Sequence, residues 1–124
     1  MKDEEDGGGG AEDLRTRTKK YALRVLRLFA ALPKTDEARI LGKQLLRSAT
    51  SVGAQYREAR RAKSDDDFIS KVEGALQELE ESGYWLELLA ESGICPAPRL
   101  QPLMLETNEL ISILVTIVKK AKGL

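Results

Sequence analysis

The chain has 124 residues, and its 20 Lys and Arg balance 20 Asp and Glu, so the formal net charge is zero. Hydrophobic residues make up 42% and aromatic residues 5%, which fits one domain with an aliphatic core. The single cysteine, Cys95, excludes an intrachain disulfide. Because the chain has no histidine to activate a thiol or hydroxyl nucleophile, we predict that it is not an enzyme.

The N-terminus, MKDEEDGGGG, is acidic and then entirely glycine. It cannot bury enough apolar surface to offset its conformational entropy, so we expect residues 1–10 to be a disordered tail. It lacks the basic-then-apolar order of a signal peptide, and no apolar run approaches the ~20 residues that span a bilayer. A cytoplasmic protein with no membrane partner is the expectation.

Four segments of residues 11–124 carry apolar side chains at alternating spacings of three and four, the period of a helix with one buried face. In the first segment this seam holds residues 14, 18, 21, 25, 28 and 32. We expect helices over about residues 11–32, 35–62, 65–92 and 100–121. Short connections between them favour the all-α class and an antiparallel up-down four-helix bundle.

The helix ends have their own signals. Pro33 should end the first helix, because the residue before proline disfavours helical geometry. Thr35 and Ser64 are side chains that cap helix N-termini. In the fourth segment Pro98 suits a first helical position, but Pro102 argues that regular helix begins nearer residues 100–103.

The fourth helix has more apolar residues than one buried seam requires. Ile111, Ile113, Val115 and Val118 lie outside the seam through Leu110 and Leu114. A lone bundle buries one broad stripe per helix, so a second copy of the chain is expected to cover the surplus.

The middle of the chain resembles a known family. The segment 44–49, QLLRSA, matches a Q-L-x-R-A-A/S pattern, and 51–54, SVGA, falls on S-I-P-A. Arg61, Ser64 and Phe68 fit the run G-R-x-S-x-x-(E/D)-F. These residues resemble the four-helix-bundle proteins encoded in intervening sequences of bacterial large-subunit ribosomal RNA genes. Gly53 and Ala59 depart from the family's usual proline and turn glycine.

The resemblance implies a left-handed bundle and ring-like homopentamers. We expect no cofactor. It also relates the chain to accessory proteins of diversity-generating retroelements, which bind nucleic acid and a reverse transcriptase. RNA, DNA or such an enzyme is therefore an expected partner, in addition to further copies of the chain.

Charge is segregated along the sequence. Residues 14–63 hold fourteen basic and three acidic side chains, whereas 65–91 hold nine acidic side chains and one basic. We single out two groups as candidate phosphate contacts: the α1 row, spaced 3, 4 and 3 on one helix face, and the α2-end cluster. The α1 row is Arg17, Lys20, Arg24 and Arg27; the α2-end cluster is Arg57, Arg60, Arg61 and Lys63.

Two alternatives stay open. The basic faces pair with the acidic third helix, within or between subunits; or the protein is a structural oligomer that binds a protein partner without touching nucleic acid. Few aromatics accompany the basic residues, so any nucleic-acid binding should be backbone-driven and sequence-tolerant. Metal sites in such bundles use Glu-x-x-His pairs, and without histidine we predict no metal site.

Overall fold

The computed structural model describes residues 13–124. The predicted tail at 1–10, and the first two residues of the predicted first helix, lie outside the described residues. Four helices account for most of the rest: α1 (Leu14–Ala31), α2 (Asp36–Arg60), α3 (Asp65–Glu91) and α4 (Ala97–Ala121). No strand occurs within residues 13–124. The all-α four-helix bundle is confirmed.

The predicted helix signals act as expected at three boundaries. Leu32, directly before Pro33, is extended and ends α1. The hydroxyl of Thr35 accepts from the N–H of Ala38 at 3.2 Å, and that of Ser64 accepts from Asp67 at 3.0 Å. Each bond satisfies an N–H that has no partner inside its helix.

The prediction for the start of α4 was wrong. The helix begins at Ala97, and Pro102 lies inside it. Pro98 occupies the first turn, where a missing N–H costs nothing. Because Pro102 has no N–H, α4 lacks only the backbone hydrogen bond to the carbonyl of Pro98. The loss is therefore confined to the first two turns of the helix. The predicted start of α1 at residue 11 is also three residues early, since Asp13 caps the helix and Leu14 begins it, and the remaining ends are within two residues of those observed.

Helix packing places α1 and α3 on a diagonal of the bundle. The α2–α3 contact is the most extensive, α3–α4 and α1–α2 follow, and α1–α4 is the sparsest of these four. Along α1, Arg17 reaches Glu109 and Tyr21 reaches Thr107, whereas Arg24 lies beside Leu103. This descending register shows that α1 and α4 are antiparallel.

The predicted seams form the core. In α1, Thr18, Tyr21 and Val25 are buried, and the buried set of α2 includes Leu45 and Val52. At the end of α4 the seam shifts, because Val118 is buried while Ala121 is exposed. The fully buried leucines are Leu45, Leu79, Leu86, Leu89, Leu100, Leu110 and Leu114.

Two hydroxyl pairs cross this aliphatic interior. The hydroxyls of Ser48 on α2 and Ser82 on α3 lie 2.7 Å apart, and those of Tyr21 and Thr107 lie 2.6 Å apart. A buried hydroxyl without a hydrogen-bond partner would destabilise the fold. Each pair therefore favours the helix packing in which its two residues lie opposite each other.

The α3–α4 connection contains a glycine with a positive φ and a buried cysteine. Gly93 has φ of 79°, a left-handed conformation that costs other residues about 1–2 kcal/mol. After it, the N–H of Cys95 donates to the carbonyl of Leu89 at 3.1 Å. The side chain of Cys95 is buried under the end of the bundle.

Candidate nucleic-acid interface

The eight candidate basic residues do not form one surface. The α1 row extends along the side of α1 that faces α4, whereas the α2-end cluster lies where α2 ends and α1 begins. The charge of Asp13, at the start of α1, acts on Arg60, which locates both at the same end of the bundle. Arg27 lies close to the opposite end, because ten residues of helix separate it from Arg17, about 15 Å.

Arg17 is held by two carboxylates of α4. Its Nε and Nη2 donate to Glu106 at 2.8 Å each, and Nη2 also contacts Glu109. The hydrogen bonds that Arg17 donates to Glu106 raise the pKa of Arg17 above its ordinary value. The Arg17 side chain is only 18% exposed. Arg17 therefore joins α1 to α4 and is not available to a phosphate.

The other end of the α1 row lines a groove. Arg24 and Arg27 on α1 face Arg99, near the start of α4, and Leu28, Leu100, Pro102 and Leu103 complete the lining. No carboxylate lines this groove of about 220 Å³. Sequence reasoning missed Arg99 because it stands alone among prolines. Lys20, the remaining member of the row, is exposed.

The α2-end cluster is exposed at all four positions. Arg57, Arg61 and Lys63 make no ion pair with a carboxylate of residues 13–124. Arg60 donates to the hydroxyl of Tyr56 at 3.5 Å, and this contact is the main cause that raises the pKa of Arg60. Arg60 and Lys63 also line a shallow pocket with Asp65, so this end carries both signs of charge.

Ion pairs between α2 and the acidic α3 involve Arg47 and Glu58 of α2. Arg47 contacts Glu78 at 3.4 Å and Glu81 at 2.8 Å, and Glu58 on α2 forms an ion pair with Lys71 on α3 at 3.2 Å. Arg17 of α1 pairs with α4 and not with α3, because the bundle places α3 across the diagonal from α1. Within one chain, Arg47 of α2 therefore pairs with α3, whereas Arg17 of α1 pairs with α4. Pairing of the other basic side chains with α3 of a neighbouring subunit stays a prediction.

A group that could hold a metal ion and a helix that could cross a membrane are both absent from the described residues. Within residues 13–124, no group of three or more Cys, Asp or Glu side chains is arranged to hold a metal ion. In the same range, no helix combines the length and apolar character required to cross a membrane. What remains is a small helical bundle with charged surfaces.

Comparison with known proteins places this bundle in a family. The sequence matches the 23S rRNA-intervening sequence proteins over residues 13–116, and the chain belongs to that family. A solved structure, from the S23 ribosomal protein family of Bacteroides thetaiotaomicron VPI-5482, is 34% identical and has a TM-score of 0.81. The alignment covers 86% of this chain and 99% of that one, a protein of unknown function. No curated protein shows significant similarity to the chain.

Proposed function

We propose that the protein is a non-enzymatic, homo-oligomeric scaffold that binds nucleic-acid backbones through basic side chains of α1 and α2. One observation carries the proposal: although α3 is strongly acidic, five basic side chains of α1 and α2 form no ion pair with a carboxylate of residues 13–124, namely Arg24, Arg27, Arg57, Arg61 and Lys63. Arg17, Arg39 and Arg47 are paired. Exposed cations that remain unpaired attract a polyanion by counterion release, without reading its sequence.

The oligomeric part is supported by apolar side chains that the bundle leaves in solvent. Leu23 and Leu26 on α1 are 41% and 48% exposed, and Leu105 on α4 is 59% exposed. Tyr84 on α3 is also exposed, at 54%, and it lies beside the acidic Glu80 and Glu87. An apolar and basic face on α1 complements an apolar and acidic face at α3, and a head-to-tail contact between them closes into a ring when its rotation permits.

The test of nucleic-acid binding measures the affinity for a fluorescent single-stranded RNA against salt concentration. The triple variant R57Q/R61Q/K63Q should bind more weakly to every sequence. Its slope of log affinity against log salt should be shallower by about 2, since each phosphate contact on a single strand contributes about 0.7.

A matched control removes three charges elsewhere. Lys19, Lys34 and Lys43 are exposed and outside both groups, so K19Q/K34Q/K43Q should change the slope much less. Equal effects of the two triples would mean that net charge, not the α2-end cluster, governs binding. If the parent protein binds neither RNA nor DNA at ~50 mM salt, the alternative scaffold for a protein partner replaces this proposal.

A further inference from the structure

The groove between α1 and α4 differs from the rest of the basic surface because arginines from two helices line it. Arg24 and Arg27 approach it from α1 and Arg99 from α4. It exists because α1 and α4 pack sparsely beyond the Tyr21–Thr107 contact. We propose that this groove binds a phosphate monoester, in particular the terminal phosphate of a nucleic-acid strand. The nucleic-acid part of this proposal rests on the function proposed above.

The three guanidinium groups have no anion of the described chain to neutralise them. None of them forms an ion pair within residues 13–124. The carboxylates next along the α1–α4 seam, Glu106 and Glu109, are both engaged by Arg17. Three like charges around one groove repel each other, and an anion between them relieves that repulsion.

The negative charge of the ligand distinguishes an internal phosphodiester from a terminal phosphate monoester as the better match for the groove. An internal phosphodiester carries one negative charge, whereas a phosphate monoester carries about −1.5 to −2 at pH 7. Three arginines are therefore better matched by a terminal monoester. Guanidinium groups also form paired hydrogen bonds to phosphate oxygens, which favours arginine over lysine at such a site.

The ligand would be held by the arginine side chains and not by backbone N–H groups at the start of α4. Pro98 has no N–H, and the N–H of Arg99 already donates to the carbonyl of Pro96 at 3.0 Å. Backbone donors are thus few, so the arginines supply the binding. The floor of Leu100 and Leu103 is buried, and such an apolar surface strengthens charge interactions above it by lowering the local dielectric.

The experiment compares two RNA oligonucleotides of one sequence, one with a 5′-phosphate and one with a 5′-hydroxyl. The parent should bind the phosphorylated strand about tenfold more tightly at ~0.1 M salt. R27Q/R99Q should bring this ratio close to one. Arg27 and Arg99 are exposed, so the fold should tolerate the change. R57Q/R61Q should weaken both strands alike and leave the ratio intact, and K34Q/K43Q controls for net charge.

The outcomes separate this site from the proposed function. If both strands bind and the parent ratio is one, the groove is not a monoester site, although backbone binding stands. If neither strand binds, the proposed function fails, and inorganic phosphate becomes the probe. Phosphate-dependent shifts of the Arg24, Arg27 and Arg99 side-chain N–H signals, at constant ionic strength, would then support a groove for a free phosphate; unchanged signals would overturn it.

Discussion

The hydroxyl oxygens of Tyr21 and Thr107 lie 2.6 Å apart in the interior and join α1 to α4 where few other contacts do. Thr107 also bonds to the carbonyl of Leu103 at 2.8 Å, where it must be the donor. Its single proton is thereby used, so the Tyr21 hydroxyl is the donor to Thr107.

Y21F should therefore lower the free energy of unfolding by about 1–1.5 kcal/mol, because a buried hydrogen bond is lost with little change in shape. Urea unfolding measures the loss. Y84F is the control, since Tyr84 is 54% exposed and its replacement should change stability by less than about 0.5 kcal/mol. Equal losses in the two variants would contradict the assigned role of Tyr21.

The same residue predicts how stability depends on alkaline pH. Burial raises the pKa of Tyr21 above 10.0, and hydrogen bonding with Thr107 and Ser82 only partly opposes this. Above pH 10 the unfolded chain releases the tyrosine proton while the folded chain retains it. Stability should thus fall as pH rises from about 10 toward the folded-state pKa. The fall should be smaller in Y21F than in the parent and Y84F, as followed by urea unfolding at each pH.

Removing the charge of Arg17 should affect stability and not nucleic-acid binding. R17Q breaks a half-buried pair in which Arg17 and Glu106 are 18% and 17% exposed, so we expect a loss of about 1–2 kcal/mol. R39Q breaks an exposed pair with Asp36 and should cost less than about 0.5 kcal/mol. RNA affinity that falls further in R17Q than in R39Q would show that Arg17 contacts phosphate after all.

Assembly should depend on the exposed leucines of α1. L23E/L26E replaces two apolar contacts with charges that oppose the acidic face of a neighbouring copy, so the oligomer should dissociate. Light scattering after size exclusion should then report the monomer mass of 13.7 kDa for the variant and a multiple of it for the parent. L124E makes the same change at a side chain that is 85% exposed, and it should leave the parent mass unchanged. A monomeric parent at micromolar concentration would end the homo-oligomer proposal.

Local signals in the sequence were sufficient for most of the fold. Capping by Thr35 and Ser64 depends on side chains three residues from their partners, and the seams depend on spacing alone. Pro102 was misleading because the rule that proline disrupts a helix was applied without regard to the position of the proline in the helix. The rule does not count how many hydrogen bonds a proline in an early turn actually removes.

The candidate site was harder to predict because it depends on which helices are neighbours. Arg17 and Glu106 are 89 residues apart, and nothing in either segment marks the pairing. The spacing of Arg17, Lys20, Arg24 and Arg27 correctly indicated one helix face. It could not show that one end of this face meets carboxylates and the other meets Arg99, since both facts follow from the register of α1 against α4.

The diagonal arrangement of α1 and α3 separates charge across the described bundle. The α1 corner carries six basic and no acidic side chains, whereas the α3 corner carries nine acidic and one basic. Dissolved copies should attract one another corner to corner at low ionic strength, where the screening length reaches about 30 Å. Added salt shortens that reach, so moderate salt should increase solubility near neutral pH.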